Sequence, residues 1–190
     1  MDDTEFESCS KPDIYKRLLW SFCFFHAIVQ DRRKFGPIGW NIQYAFTNED
    51  LNVTTKQLKI FLEEYEEVPY KVLNYIGAQI NYGGRVTDDK DVRLITTILE
   101  TYITPNVTTD DFGFSESGIY RSIKPGEKED YLEYIRSLPL NPEPEAFGLH
   151  SNAEITTQQI ATMAMLTNMI AMQPRSSSGK GKSREEIIGE

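Results

Sequence analysis

Between residues 18 and 41 the chain reads LLWSFCFFHAIVQDRRKFGPIGWN, and no other stretch limits the fold as strongly. A helix this apolar is not stable against water, so it must be buried. It is also too short to span a bilayer, which needs about 20 apolar residues. The run breaks abruptly into Asp31, Arg32, Arg33 and Lys34, then into a rigid turn of Phe35, Gly36, Pro37, Ile38, Gly39 and Trp40. Ile14, Leu18, Phe22, Phe25 and Val29 follow helical spacing, and Leu19, Phe24 and Ile28 widen the stripe. That pattern predicts a helix over residues 13–34, stopped by Gly36 and Pro37. Pro12 suits its first turn, and Ser10 is the candidate cap. The expected centre of the protein is therefore a buried helix with a hard corner.

The same reading places further helices around it. Thr54 or Thr55 is expected to cap a helix running to about Glu67 through Leu58, Phe61, Leu62 and Tyr65, after a loop with a short extended piece over residues 41–50. Pro69 starts another, through Val72, Leu73, Ile76 and Ile80 to Tyr82-Gly83-Gly84. Thr87 or Asp88 opens a fourth through Val92, Ile95, Leu99 and Tyr102, closed by Pro105. Residues 106–126 turn to Gly, Ser, Thr, Asp and aromatics, with an extended piece at Gly118-Ile119-Tyr120. A short helix over residues 127–138 presents Tyr131, Leu132, Ile135 and Leu138. Pro139, Pro142 and Pro144 make a stiff link, and a methionine-rich helix covers residues 155–172. The fold class is mainly α. A flexible lead-in over residues 1–12 precedes a four-helix bundle over residues 13–104. A loop-rich, short-β segment with a further C-terminal helix comes next, over residues 105–172, and residues 173–190 form a flexible tail.

Charge and chemistry narrow the function by exclusion. With 29 acidic against 20 basic residues the net charge is −9, which argues against nucleic acid as a partner. Two cysteines, Cys9 and Cys23, imply no disulfide framework and a reducing setting. The acidic, polar first residues do not form a signal peptide, and no membrane span is expected. The sequons at Asn52 and Asn106 are chance matches to a permissive pattern. Gly181-Lys182-Ser183 ends like a phosphate-binding loop, but Ser176 stands where the opening glycine belongs and no strand precedes it. Cys23 and His26 share a helix face, yet only Cys9 and His150 remain to complete a four-ligand zinc site. Neither His26 nor His150 has a local nucleophile signature. No catalytic, metal-binding or cofactor-binding residue is therefore assigned. The cluster Glu63, Glu64, Glu66 and Glu67 reads as the solvated back of a helix, with a carboxylate-pair hydrolase as the weakest of three functional readings.

Two polar turns carry more. Arg32, Arg33 and Lys34 stand at a helix end, where the macrodipole favours cations; alternatively they form a basic patch that docks on a neighbouring acidic domain. Arg85, between two helices at Tyr82-Gly83-Gly84-Arg85, either bridges nearby carboxylates or carbonyls, or reaches a phosphate or a partner domain.

FHAIVQDRRKFGPIGWN, followed by FLEEYEEVPY, NYGGRVTDDKD, Pro139 and FGLHSNA at residues 147–153, resembles the dynein heavy chain, and the Arg32–Pro37 run with Trp40-Asn41-Ile42 is similar to its axonemal branch. The resemblance covers nearly all of residues 13–172. It implies a helical lid following the large subdomain of the sixth module in a ring of six AAA+ modules, leading into the C-terminal region. It implies an ATP-driven, minus-end-directed microtubule motor of cilia or flagella as the parent chain, with ATP and magnesium bound elsewhere in it. It places the chain in the cytoskeleton of the axoneme, in company with the rest of the heavy chain, intermediate and light chains and microtubules. On this reading the piece is not itself an enzyme; it braces the ring and passes its rearrangements on. The candidate inter-domain contacts are Arg32, Arg33, Lys34, Trp40, Arg85, Met163, Leu166 and Ile170. Charge reversal at Arg32 and Arg33 is expected to weaken docking and spare the fold. A free-standing helical adaptor is the alternative.

Overall fold

The computed structural model describes Phe6 and residues 9–173. The phosphate-loop-like end of the tail lies outside them. The chain divides into two compact units, Met1–Thr157 and Gln158–Glu190.

The first unit is built around α1 (Pro12–Asp31). Every side chain from Tyr15 to Phe22 is buried, and Phe22, Phe25, Leu18 and Val29 are fully enclosed. Burying each such side chain contributes about 1.5–3 kcal/mol. α1 packs against α2 (Asn48–Glu64), α4 (Asp89–Tyr102) and a 3-10 turn at Pro105–Thr108. Between α2 and α4 lies α3 (Tyr70–Tyr75), which widens into a π-helical stretch at Ile76–Asn81 before a 3-10 turn at Gly83–Arg85. α5 (Lys128–Ser137) and a 3-10 turn at Pro144–Phe147 come next, and α6 spans Asn152–Met172.

Because α1 is surrounded, two of its cations are buried and must find acceptors. Lys16 Nζ donates to the Gly126 carbonyl at 3.0 Å. Arg17 donates to the Thr109 carbonyl at 2.9 Å and to Asp110. Trp20 Nε1 donates to the Arg121 carbonyl at 3.2 Å. Phe24 packs on Tyr102, Phe114 and Tyr120, with ring centroids 5.2, 4.8 and 5.5 Å away. These contacts join residues 106–126 to the helices of residues 13–104 in one core.

Several local expectations are corrected. α1 begins at Pro12, one residue before the expected Asp13, and gives way to 3-10 turns after Asp31 rather than reaching Lys34; Ser10 does not cap it, and the Ser10 amide instead donates to Glu63 at 2.7 Å. α2 starts seven residues before Thr55, at Asn48, because Asp50 reaches back to accept the Thr47 amide at 2.8 Å, the acidic arm of a capping box. Thr54 lies inside the helix, its hydroxyl donating to the Asp50 carbonyl at 2.7 Å. The helix ends at Glu64, so Glu66 and Glu67 stand beyond it. The short-β element is absent among the described residues. Gly113 and Arg121 form an isolated antiparallel bridge, closed by Phe114 N–H to Tyr120 O and Ser122 N–H to Phe112 O, both 2.7 Å. On α5 it is Tyr131 and Tyr134 that face Trp20, at 5.6 and 5.8 Å, while Leu132 and Ile135 are exposed. The link through Pro144 is no spacer: Phe147, in its 3-10 turn, is buried.

Candidate functional site: the corner after the central helix

Past Asp31 the α-helix tightens into 3-10 turns at Arg32–Ile38, broken at Gly36. Gly36 takes φ 54° and ψ −133°, a conformation that disfavours any side chain. Its carbonyl accepts the amides of both Gly39 and Trp40 at 3.0 Å, closing the turn. A Cβ on Gly39 would lie 1.9 Å from the Arg32 carbonyl oxygen, so only glycine fits there. The chain then folds back on its own helix. Trp40 is buried, and its Nε1 donates to the Val29 carbonyl at 3.1 Å.

Arg32 turns inward and is 3% exposed. Its Nε donates to the Gly39 carbonyl at 3.2 Å and its Nη1 to the Phe147 carbonyl. The guanidinium lies 5.6 Å from the Trp40 ring, and burial pulls its pKa below the usual arginine value. Lys34 covers the Phe147 ring at 4.3 Å. Arg33 is exposed.

Past the corner, residues 41–44 are held by the start of α4. The buried Asp91 carboxylate accepts the amides of Asn41 and Ile42 at 3.1 and 3.2 Å and the Tyr44 hydroxyl at 2.9 Å. Asp88 caps α4 by accepting the amides of Lys90 and Asp91 at 2.9 and 3.1 Å, and it also accepts from the Asn41 side chain at 3.1 Å. The Asn41 bond, then the Asp91 amide, hold its carboxyl below the usual range. Arg85 is committed to Asp50, with Nε 3.0 and 2.9 Å from the two carboxylate oxygens. Asp50 in turn anchors Thr47, so the Gly83–Arg85 turn and the start of α2 are one joint.

The sequence-derived candidates therefore separate. Arg32 and Trp40 face inward and hold the corner together. Arg33 and Lys34 are the cations that the corner presents to solvent. Arg85 bridges a carboxylate. Met163, Leu166 and Ile170 on α6 are 64, 49 and 68% exposed. The expectation that charge reversal at Arg32 spares the fold is corrected, since a carboxylate there would face two carbonyl oxygens. Asp50 and Asp91 are buried anchors of the site that sequence reasoning does not single out. The spacing of Asp88 and Asp91 around a helix start is the available signal, but it shows a cap and not the loop the second carboxylate holds.

The remaining chemistry-bearing residues do not converge. His26 is buried, with Nδ1 2.9 Å from the Tyr82 hydroxyl. The Cys23 thiol is pushed up to about 11 by burial. His150 takes the Asn152 amide on its Nδ1 at 3.2 Å. Among the described residues, no group of three His, Cys, Asp or Glu is placed to hold a metal ion. Nor is any helix among them long and apolar enough to cross a membrane.

A family model described as the dynein heavy chain AAA lid domain matches residues 15–153. The chain belongs to that family. It is 50% identical over 189 residues to dynein axonemal heavy chain 1 of Mus musculus, covering 99% of this chain and 4% of the relative. The human counterpart is 52% identical over 182 residues, 95% of this chain and 4% of the relative. Dynein axonemal heavy chain 3 of Mus musculus is 43% identical over 189 residues, 100% of this chain and 5% of the relative. The chain thus spans about one twentieth of the length of the heavy chains it matches. The matched lid residues coincide with the body of the first unit, and the match stops at Ala153, the second residue of α6.

Proposed function

We propose that this AAA lid is a non-catalytic brace in the ring of an axonemal dynein heavy chain, seated on the sixth module and passing its rearrangements to the neighbouring parts. The parent would be an ATP-driven, minus-end-directed microtubule motor of cilia or flagella, placed in the axoneme with intermediate and light chains. The observation that carries this reading is the lid match over residues 15–153, together with the character of the helix at its end. α6 has one charged residue, Glu154, and exposes Ile155, Ile160, Met163, Met165, Leu166, Met169, Ile170 and Met172. Such a helix is covered in the working protein, and the heavy chain beyond residues 1–190 supplies the cover.

ATP and magnesium belong to the parent motor on this reading. In support of that reading, the glycine-containing turn at Gly83–Arg85 has its arginine bound to Asp50, and the amides of Lys90 and Asp91 at the start of the next helix are taken by the Asp88 carboxylate.

The test uses the full heavy chain, with a photo-crosslinking benzoylphenylalanine at Met163 and, separately, Met163, Leu166 and Ile170 changed together to serine. Crosslinks into heavy-chain segments outside residues 1–190, with microtubule gliding slowed at least severalfold by the triple variant, are expected. Absence of such crosslinks together with unchanged gliding would overturn the proposal.

A further inference from the structure

A cleft of about 760 Å³ opens beside the corner, walled by α4, the turn at residues 113–116 and the segment at residues 145–150. Leu94, Ile98 and Leu149 give it apolar flanks, and Arg32 lies in its wall. Arg32 is the unusual member. It is 3% exposed, yet its hydrogen-bond partners are the neutral carbonyls of Gly39 and Phe147. Among the described residues no carboxylate stands within ion-pair distance of it; the buried Asp91 acts on it only through its field, its oxygens being taken by the Asn41 and Ile42 amides and the Tyr44 hydroxyl. The carbonyls satisfy Nε and Nη1, but they carry no net charge. A guanidinium removed from water is costly until an anion faces it, and its planar fork matches a carboxylate. The carboxylates in the same cleft do not serve: Glu145 accepts the Ser117 amide at 2.7 Å, and Glu116 also stays clear of Arg32.

The geometry points to a docking groove: the cleft receives an acidic segment of the same heavy chain, from outside residues 1–190, whose Asp or Glu carboxylate pairs with Arg32 while an adjacent apolar side chain lies on Leu94 and Ile98. Charge complementarity sets the chemistry of the occupant. The chain's one-twentieth share of its relatives' length supplies the source. Rim carboxylates Glu116 and Glu145 repel a segment with several acids in a row, so the groove selects an isolated acid. This inference rests on the lid reading above.

The experiment places benzoylphenylalanine at Thr101, an exposed cleft-lining residue of α4 whose hydroxyl bonds only within its helix. It is done in the full heavy chain and read by mass spectrometry. Expected is an adduct with one heavy-chain segment outside residues 1–190, with an Asp or Glu within about three residues of the attachment point, a helical turn's reach. Changing that acid to Ala, or Arg32 to Met, is expected to lower the yield about tenfold or more, as loss of a charge-assisted bond does. Ala at the partner acid leaves the lid intact, so misfolding of the Arg32→Met variant does not rescue or sink the result. Adducts confined to residues 1–190, to another polypeptide, or to a segment without an acid would overturn the inference. The Met163 crosslink separates the two readings: if it reaches the heavy chain and Thr101 does not, the groove fails alone; if neither does and the triple serine variant glides unchanged, the bracing reading fails with it.

Discussion

Asp91→Ala is expected to release the corner from α4 while leaving the helices their own contacts. Asp91 is 2% exposed and accepts from the Asn41 and Ile42 amides and the Tyr44 hydroxyl, at 3.1, 3.2 and 2.9 Å. A hydrogen bond to a charged group contributes about 1.5–3 kcal/mol, and a buried donor left without an acceptor costs about 1–3 kcal/mol. The three bonds share one carboxylate, so they do not add. The expected loss is about 3–5 kcal/mol. At about 2–4 °C per kcal/mol for a chain of this size, that lowers the melting temperature by roughly 6–20 °C. Urea unfolding followed by circular dichroism gives the energy, and amide hydrogen exchange at Asn41 and Ile42 gives the location. A cycle with Tyr44→Phe is expected to show about 1–2 kcal/mol of coupling, the range for residues in one network. A loss below about 1 kcal/mol, strict additivity with Tyr44→Phe, or unchanged protection of the two amides would refute the clamp.

Three further outcomes concern neighbouring residues. Burial lowers the His26 pKa below its ordinary 6.5, so the unfolded chain binds the proton more readily. Stability is then full above about pH 6.5 and falls as the pH drops towards the folded value, by up to about 1.4 kcal/mol per unit; a pH series of urea melts should show this slope, and His26→Gln should flatten it. Gly39→Ala places a methyl 1.9 Å from the Arg32 carbonyl oxygen and should cost more than about 3 kcal/mol, whereas Pro37→Ala, at an exposed position, should cost under about 1 kcal/mol in the same melts. Asp50→Ala removes both the arm of the capping box and the Arg85 bridge, and should cost about 2–3 kcal/mol, against about 1 kcal/mol for Arg85→Ala, whose side chain is 45% exposed; equal losses would show that the bridge, not the cap, dominates.

The central helix and its corner are legible in the sequence because periodicity, glycine and proline act locally. Leu18, Phe22, Phe25 and Val29 had to share a face whatever surrounded them, and Gly36-Pro37 had to end the helix. Which cation of the Arg32-Arg33-Lys34 run turns inward is not legible. That choice depends on the Phe147 carbonyl, 115 residues away. The start of α2 escapes sequence reading for a related reason. Thr47, Thr54 and Thr55 are all acceptable caps, and only the Asp50 side chain folding back on Thr47 distinguishes them. The polar joint is half legible: Asp88 announces itself as a cap, but Asp91 looks like an ordinary first-turn acid and Asp50 like the end of a loop until residues 41–47 and Arg85 are seen against them. α5 turns its buried side towards Tyr131 and Tyr134 because Trp20 offers aromatic edges there, a preference no hydrophobic count contains.

Arg17, Arg32, Asp50 and Asp91 are buried charges that each reach across the sequence, by 92, 115, 35 and up to 50 residues. A domain that merely filled space would gain as much from apolar side chains, since buried charges offer little net stability over well-packed hydrophobic ones. What they add is position: each fixes a particular loop to a particular turn of helix. The proposed passing-on of motion would need that property, because a corner that yields locally would absorb the displacement. The consequence is measurable. Hydrogen exchange should place the amides of Gly39, Trp40, Asn41 and Ile42, none of them in an α-helix, in the same slow cooperative unit as the middle of α1. Exchange of these amides at the rate of a surface loop would mean that the corner is a hinge, and the bracing role would pass to the helices alone.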